Sequence, residues 1–133
     1  MSTLLGFDFG PRKIGVAVGQ TVTGSASPLT TIRSRRDKPD WVSIERLVRE
    51  WQPNGAVVGL PFNMDDTEGE IAPGARRFAR QLEGRFGLNV HLVDERLTSL
   101  EARRQLGKDV TSLEEIDAMA AKLILETWLS EQH

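Results

Sequence analysis

Apolar positions in this chain repeat first with period two and later with the period of a helix, so the chain reads as an antiparallel opening followed by strand–helix units. Residues 4–9 are a short apolar run, broken by Gly6 and Asp8 and closed by Gly10-Pro11, which predicts a strand. Residues 13–20 follow a tight turn and alternate Ile14, Val16 and Val18 with small residues, predicting a second strand in a hairpin with the first. Residues 29–32 predict a third strand. The period then changes. Trp41, Ile44, Leu47, Val48 and Trp51 fall on one helical stripe, with Asp40 as its N-cap and Pro53 as its stop. Residues 55–60 are apolar on both faces, as a buried parallel strand requires. Residues 61–69 predict a loop. Ile71, Ala75, Phe78, Ala79, Leu82 and Phe86 share one side of a second helix ended by Gly87. Residues 90–93 predict a fifth strand. Thr98-Ser99-Leu100-Glu101 has the form of a capping box and opens a helix to about residue 106. Ser112-Leu113-Glu114-Glu115 has the same form and opens a last helix that runs close to the C-terminus.

The order β-β-β-α-β-α-β-α-α implies helices packed on both faces of a sheet. The expected fold class is α/β, a three-layer sandwich with a five-stranded mixed sheet. Neither a repeat nor a linker divides residues 1–133, which are expected to form one domain. At 133 residues a single core of useful size can form.

Composition narrows the chemistry. The chain has no cysteine, which excludes disulfides, thiolate zinc sites, iron–sulfur clusters and thiol nucleophiles. Its two histidines are His91 and His133, a poor basis for a histidine metal site or a Ser-His-Asp triad. No apolar run has membrane-spanning length and the start lacks the shape of a signal peptide, so a cytoplasmic protein is expected. Net charge is −2, which disfavours a protein that merely coats nucleic acid. The acids are concentrated in residues 112–133, however, and leave the rest slightly basic. Two basic groups stand out, Arg33, Arg35, Arg36 and Lys38, then Arg76, Arg77, Arg80 and Arg85; both read first as solvated surface.

Three acids occupy positions that core building does not explain. Asp8 interrupts the first apolar strand. Glu95 immediately follows the fifth. Asp117 lies on the apolar stripe of the last helix with Leu113, Ile116, Ala120, Ile124 and Trp128, and no Lys or Arg lies one helical turn away on that stripe. A lone carboxylate facing a sheet costs several kcal/mol, on the order of the penalty for any unpaired buried charge. The predicted strand order places the first strand centrally, and the C-terminal ends of parallel strands face one edge, where α/β sites form. Gathered there, three carboxylates need a counter-cation to ionise together. Hard oxygen donors suit Mg²⁺ or Mn²⁺, and such ions drive phosphodiester hydrolysis. Lys13 and Arg12, on the hairpin beside Asp8, are candidates to hold a scissile phosphate. Asn63, in the loop after the fourth strand, and Arg96, beside Asp94, are the remaining candidate substrate contacts.

These residues also carry a family resemblance. Leu5-Gly6-Phe7-Asp8-Phe9-Gly10, followed by Ile14-Gly15-Val16-Ala17-Val18, resembles the opening of the YqgF/RuvX family. Val57-Val58-Gly59-Leu60-Pro61-Phe62-Asn63-Met64-Asp65 is similar to its second motif, and Asp94-Glu95-Arg96-Leu97-Thr98 with Glu101-Ala102 to its third. Ile116-Asp117 with Ala120-Ala121 and Ile124-Leu125 resembles the fourth. The resemblance implies a ribonuclease H-like fold, a bacterial cytoplasmic protein and a nuclease that processes the 5′ end of pre-16S rRNA. Its acidic positions fall on Asp8, Glu95 and Asp117. The expected partner is structured RNA, as precursor rRNA or a pre-ribosomal particle, bound by a monomer or homodimer. Two alternatives stand beside it: a Holliday junction resolvase acting on branched DNA as a symmetric dimer, and a non-catalytic assembly factor that binds pre-ribosomal RNA.

Overall fold

The computed structural model describes residues 2–36, 38–60, 71–94 and 113–132, the last stretch as backbone only over 113–116. These residues form β1 (Thr3–Phe9), β2 (Lys13–Gln20), β3 (Ser25–Arg33), α1 (Trp41–Trp51), β4 (Gly55–Leu60), α2 (Ala72–Phe86), β5 (Asn89–Asp94) and α3 (Leu113–Glu131). The strands make one sheet in the order β3-β2-β1-β4-β5. β1, β2 and β3 are antiparallel neighbours, while β4 runs parallel to β1 and β5 parallel to β4. The mixed sheet and the central place of β1 are as the element order predicts.

Alternation along the strands sorts the side chains into two layers. Leu5, Phe7, Ile14, Val16, Ala56 and Val58 pack with Ile44 of α1 and with Phe78 and Leu82 of α2. On the other face, Leu4, Ala26, Val57 and Val93 meet Ile124, Leu125 and Leu129 of α3. β4 is buried along its whole length because both layers cover it. α1 starts where Asp40 accepts hydrogen bonds from the Ser43 backbone N–H (3.2 Å) and hydroxyl (2.8 Å), satisfying donors that the first turn leaves open. Gln52, in the left-handed region at φ 44°, closes the helix through its N–H to Val48. Trp41, half-buried, packs against this core. Its ring stacks on Phe78 (5.4 Å, 23°) and is covered by the Arg85 guanidinium at 4.4 Å.

The structure departs from the sequence pattern at three places. β3 covers Ser25–Arg33 rather than residues 29–32. It is the edge strand, so exposed Ser25, Ser27 and Thr30 cost little there, and Pro28 is tolerated beside the register shift between Val16 and Ala17. β5 is longer by a residue at each end. α2 starts at Ala72, with a proline in its first turn, and leaves Ile71 outside the apolar stripe at 41% exposure. The loop expected at 61–69 and the helix expected at 98–106 lie outside the described residues.

Candidate metal centre and its basic rim

Asp8 stands one residue before the end of β1, and its antiparallel partner is Gly15. Directly paired residues share a face. Leu4, Gly6 and Asp8 therefore stand on the α3 side together with their partners Gly19, Ala17 and Gly15. That row is small because α3 lies unusually close. A Cβ on Gly6 would sit 2.8 Å from Leu125 Cβ and 3.0 Å from the Ala121 carbonyl oxygen. A Cβ on Gly15 would collide with the backbone carbonyl of Asp117 itself. The turn of α3 that carries Asp117 thus rests on the residue directly across from Asp8. Two acids from opposite ends of the chain are brought to one spot by strand register and one missing methyl group.

Lys13 joins them from the same face, two residues before Gly15. Its Nζ lies 3.5 Å from Asp117 Oδ2, with the two side chains 31% and 28% exposed. The sequence offers Asp117 no cation on its own helical stripe; β2 supplies one instead. A charge-assisted N–H···O bond is about 2.7–2.9 Å long, so this is a loose pair. Asp117 Oδ2 itself is buried, and a buried charge paired this loosely favours a further cation.

The donors gathered here are carboxylate oxygens. His91, on β5, is stacked on Trp128 of α3 (4.6 Å, 24°) and is a packing residue. Hard oxygen donors beside a displaceable ammonium fit Mg²⁺ or Mn²⁺ and suit zinc badly. Among the described residues no three His, Cys, Asp or Glu gather into a metal-binding group. The expected third carboxylate, Glu95, follows Asp94 in the sequence and lies outside the described residues, as do Asn63 and Arg96.

The hairpin that carries Arg12 and Lys13 is closed by a bond from Gly10 N–H to the Lys13 carbonyl (3.0 Å). Arg12 is exposed at its tip, and its carbonyl accepts the Ser34 N–H (2.8 Å). Lys13 pairs in register with Arg33 of β3. The basic group at 33–38 is therefore attached to the end of the sheet that holds the acids. Nothing in its local pattern distinguishes it from solvated surface; only the pairing of β2 with β3 places it. Gly15 carries no chemistry of its own and its part here follows from packing; the alternation of apolar with small residues along β2 is its one visible signal in the sequence.

The sequence profile of the RuvX family, described as Holliday junction resolvase, matches residues 2–131. A protein of Azotobacter vinelandii named "Putative pre-16S rRNA nuclease" is 52% identical over 133 residues, covering 97% of this chain and 94% of the relative. A protein of Yersinia pestis with the same name is 50% identical over 134 residues, covering 98% and 96%. Two solved structures share the fold. Thermus thermophilus RuvC in complex with a Holliday junction substrate superposes with TM-score 0.60 at 17% identity, over 99% of this chain and 96% of that one. The fowlpox virus Holliday junction resolvase superposes with TM-score 0.62 at 11% identity, over 98% and 99%.

Proposed function

The chain belongs to the RuvX family, a family of nucleases, and from that premise we propose that it is a divalent-metal-dependent endonuclease that hydrolyses phosphodiester bonds in structured RNA. Its substrate in this reading is the precursor of 16S rRNA, trimmed at the 5′ end during ribosome biogenesis in the cytoplasm, with residues 1–133 acting as one domain. The names of the half-identical relatives support the choice of RNA. The observation that carries the chemistry is the seating of the Asp117 turn on Gly15, across from Asp8.

In this reading Asp8, Asp117 and Glu95 would hold Mg²⁺ or Mn²⁺. When bound, such an ion supplies Lewis acidity toward the phosphoryl oxygens and lowers the pKa of an attacking water. The chain's own residues do the positioning. Asp8 is fixed by strand pairing and Asp117 by the helix that rests on Gly15, so neither carboxylate depends on a loop for its place. Lys13, loosely paired with Asp117 in the free protein, would hold the scissile phosphate through its ammonium. Arg12 offers a forked donor to an adjacent phosphate from the hairpin tip. Asn63 and Arg96 are the further substrate contacts of this reading.

The test is Mn²⁺-dependent cleavage of an RNA spanning the precursor 5′ end, run beside a four-way DNA junction, with the thermal midpoint of each variant recorded. Asp8→Asn should leave the midpoint unchanged or slightly raised, because it removes like-charge repulsion, while cleavage falls at least about 100-fold, as expected when a group acting at the reaction centre is lost. Wild-type cleavage by Asp8→Asn would overturn the metal reading. Cutting of the junction with the RNA left intact would favour the resolvase activity that the family description names.

A further inference from the structure

The basic residues beyond the acid site continue into a groove, and the chemistry of that groove is specific enough to assign. Between the outer edge of β3 and α1 lies a concavity of about 610 Å³, lined by Thr30, Arg33, Ser34, Arg35, Ser43 and Arg46 among others. It opens where β3 ends, next to Lys13. The segment at its mouth is held firmly. Arg35 and Lys38 exchange reciprocal backbone hydrogen bonds of 2.9 Å, and Ser34 N–H is tied to the Arg12 carbonyl. Arg36, between them, sits in the left-handed region at φ 51°. Holding a non-glycine residue there costs roughly 1 kcal/mol or more, which the surrounding bonds sustain. Arg12, Arg33, Arg35, Arg36 and Lys38 are all exposed around this mouth.

Of the two acids of the groove, only Asp40 stands near the mouth, where it offsets part of the Arg35 charge. Asp40 has both carboxylate oxygens turned to Ser43 as the cap of α1. Glu50 lies near the C-terminal end of α1, about 15 Å along the helix from Asp40. With Arg33, Arg35, Arg36 and Lys38 set against Asp40, the mouth keeps an excess of positive charge at the end nearer the carboxylates. Row by row across the sheet, Asp8 pairs with Gly15 and Gly15 with Thr31. The edge strand is thus two inter-strand spacings, roughly 10 Å, from Asp8; the groove lies on its α1 side and Asp8 on the α3 side, so a nucleic-acid strand joining the two passes around the edge of the sheet at β3.

We propose that this groove is a backbone-binding subsite, in which Arg33, Arg35 and Arg46 grip phosphates of the same nucleic-acid strand that is cut at the acid site, a short distance along that strand. Guanidinium forks match phosphate oxygens, and the hydroxyls of Thr30, Ser34 and Ser43 add donors of the kind that contact phosphate and sugar. Arginines reached by backbone contacts give affinity and register without sequence preference. The inference rests on the nuclease reading for its choice of strand, and its test is independent of cleavage.

A fluorescently labelled RNA hairpin with a single-stranded tail is titrated with the full-length protein in EDTA, across a series of KCl concentrations. The same sequence as DNA is run in parallel. Arg46→Gln and Arg35→Gln should each weaken RNA binding several-fold and flatten the slope of log K against log[KCl] by about 0.7, one single-strand phosphate contact apiece. Arg49→Gln is the control. It lies on the same helix and carries the same charge change, but its guanidinium pairs with Glu45 at 3.1 Å outside the groove; affinity and slope should stay at wild type. Should Arg35→Gln unfold through its neighbour Asp40, Arg46→Gln, on the exposed side of α1, decides alone. Equal losses in all three variants mean general charge attraction and overturn the subsite, as does wild-type binding by Arg46→Gln. Comparable losses with DNA leave it standing as a site for either backbone. Retained cleavage by Asp8→Asn beside weakened binding by Arg46→Gln would sink the metal-centre reading and leave the groove in place.

Discussion

The two faces of the sheet solve different problems. Under α1 and α2 the contacts are large and aromatic: Phe78 meets Phe7 edge-on (5.3 Å, 73°), packs against Phe9 (5.3 Å) and carries the stacked Trp41. Under α3 the strands present Gly6, Gly15, Ala17 and Gly19, and the helix backbone comes down almost onto the sheet. The first face fills volume and supplies stability. The second gives up side-chain volume for close approach, which is what puts a helix-borne carboxylate beside a strand-borne one. In the proposed reading the acid centre thus lies on the face of the sheet away from the aromatic core.

That separation can be broken from either side. Phe78→Ala should have the largest effect on stability, about 3–5 kcal/mol by chemical denaturation, while cleavage per folded molecule stays near wild type. A comparable drop in specific activity would show that the aromatic face also shapes the site. Gly15→Ala should cost about 1–3 kcal/mol through overpacking, with cleavage falling far more than stability, because the Asp117 turn must lift away from Asp8. If the variant cuts at the wild-type rate, close approach of α3 is not what builds the centre.

Smaller effects sharpen the contrast. Asp40→Ala removes the cap of α1 and should cost about 1 kcal/mol. The hydrogen bonds from Ser43, then the nearby Arg35 charge, hold the Asp40 carboxyl below its ordinary value of 3.8. A lowered folded-state pKa means that this stabilisation is complete above about pH 3.8 and fades as pH falls through the lower, folded value. The midpoint difference between wild type and Asp40→Ala should therefore shrink on acidification below pH 3.8 and stay constant above it. Last, Gly84→Ala on α2 meets no atom within 4 Å and should stabilise by about 0.4–1 kcal/mol. The same substitution thus has opposite signs at a glycine beneath α3 and at a solvent-facing glycine of α2, and a destabilised Gly84→Ala would spoil the comparison.

Much of this was legible in the chain. Period-two and helical stripes located every described element, and Asp40 was visible as a cap because nothing longer-ranged competes with it. Asp8 and Asp117 were visible because each breaks an apolar pattern at a cost that packing does not recover. The edges were less legible. β3 is longer than its apolar core, since an edge strand can afford serines and a proline that a central strand cannot. Ile71 matched the helical stripe by spacing but precedes the first turn, and spacing alone does not mark where a helix starts.

Sequence by itself determined the element types, the two-layered alternation along each strand and the acids that no core would choose, because these follow from interactions within a few residues. Only the tertiary structure decided that Gly15 lies opposite Asp8 and beneath Asp117, that Lys13 answers Asp117 from another element, and that Arg33 and Arg35 line a groove whose edge strand ends beside Lys13. The reason is strand register. A shift of one residue would turn the strand side chains among these, Asp8, Lys13 and Arg33, to the opposite face, and register is set jointly by both layers of the core rather than by any one segment.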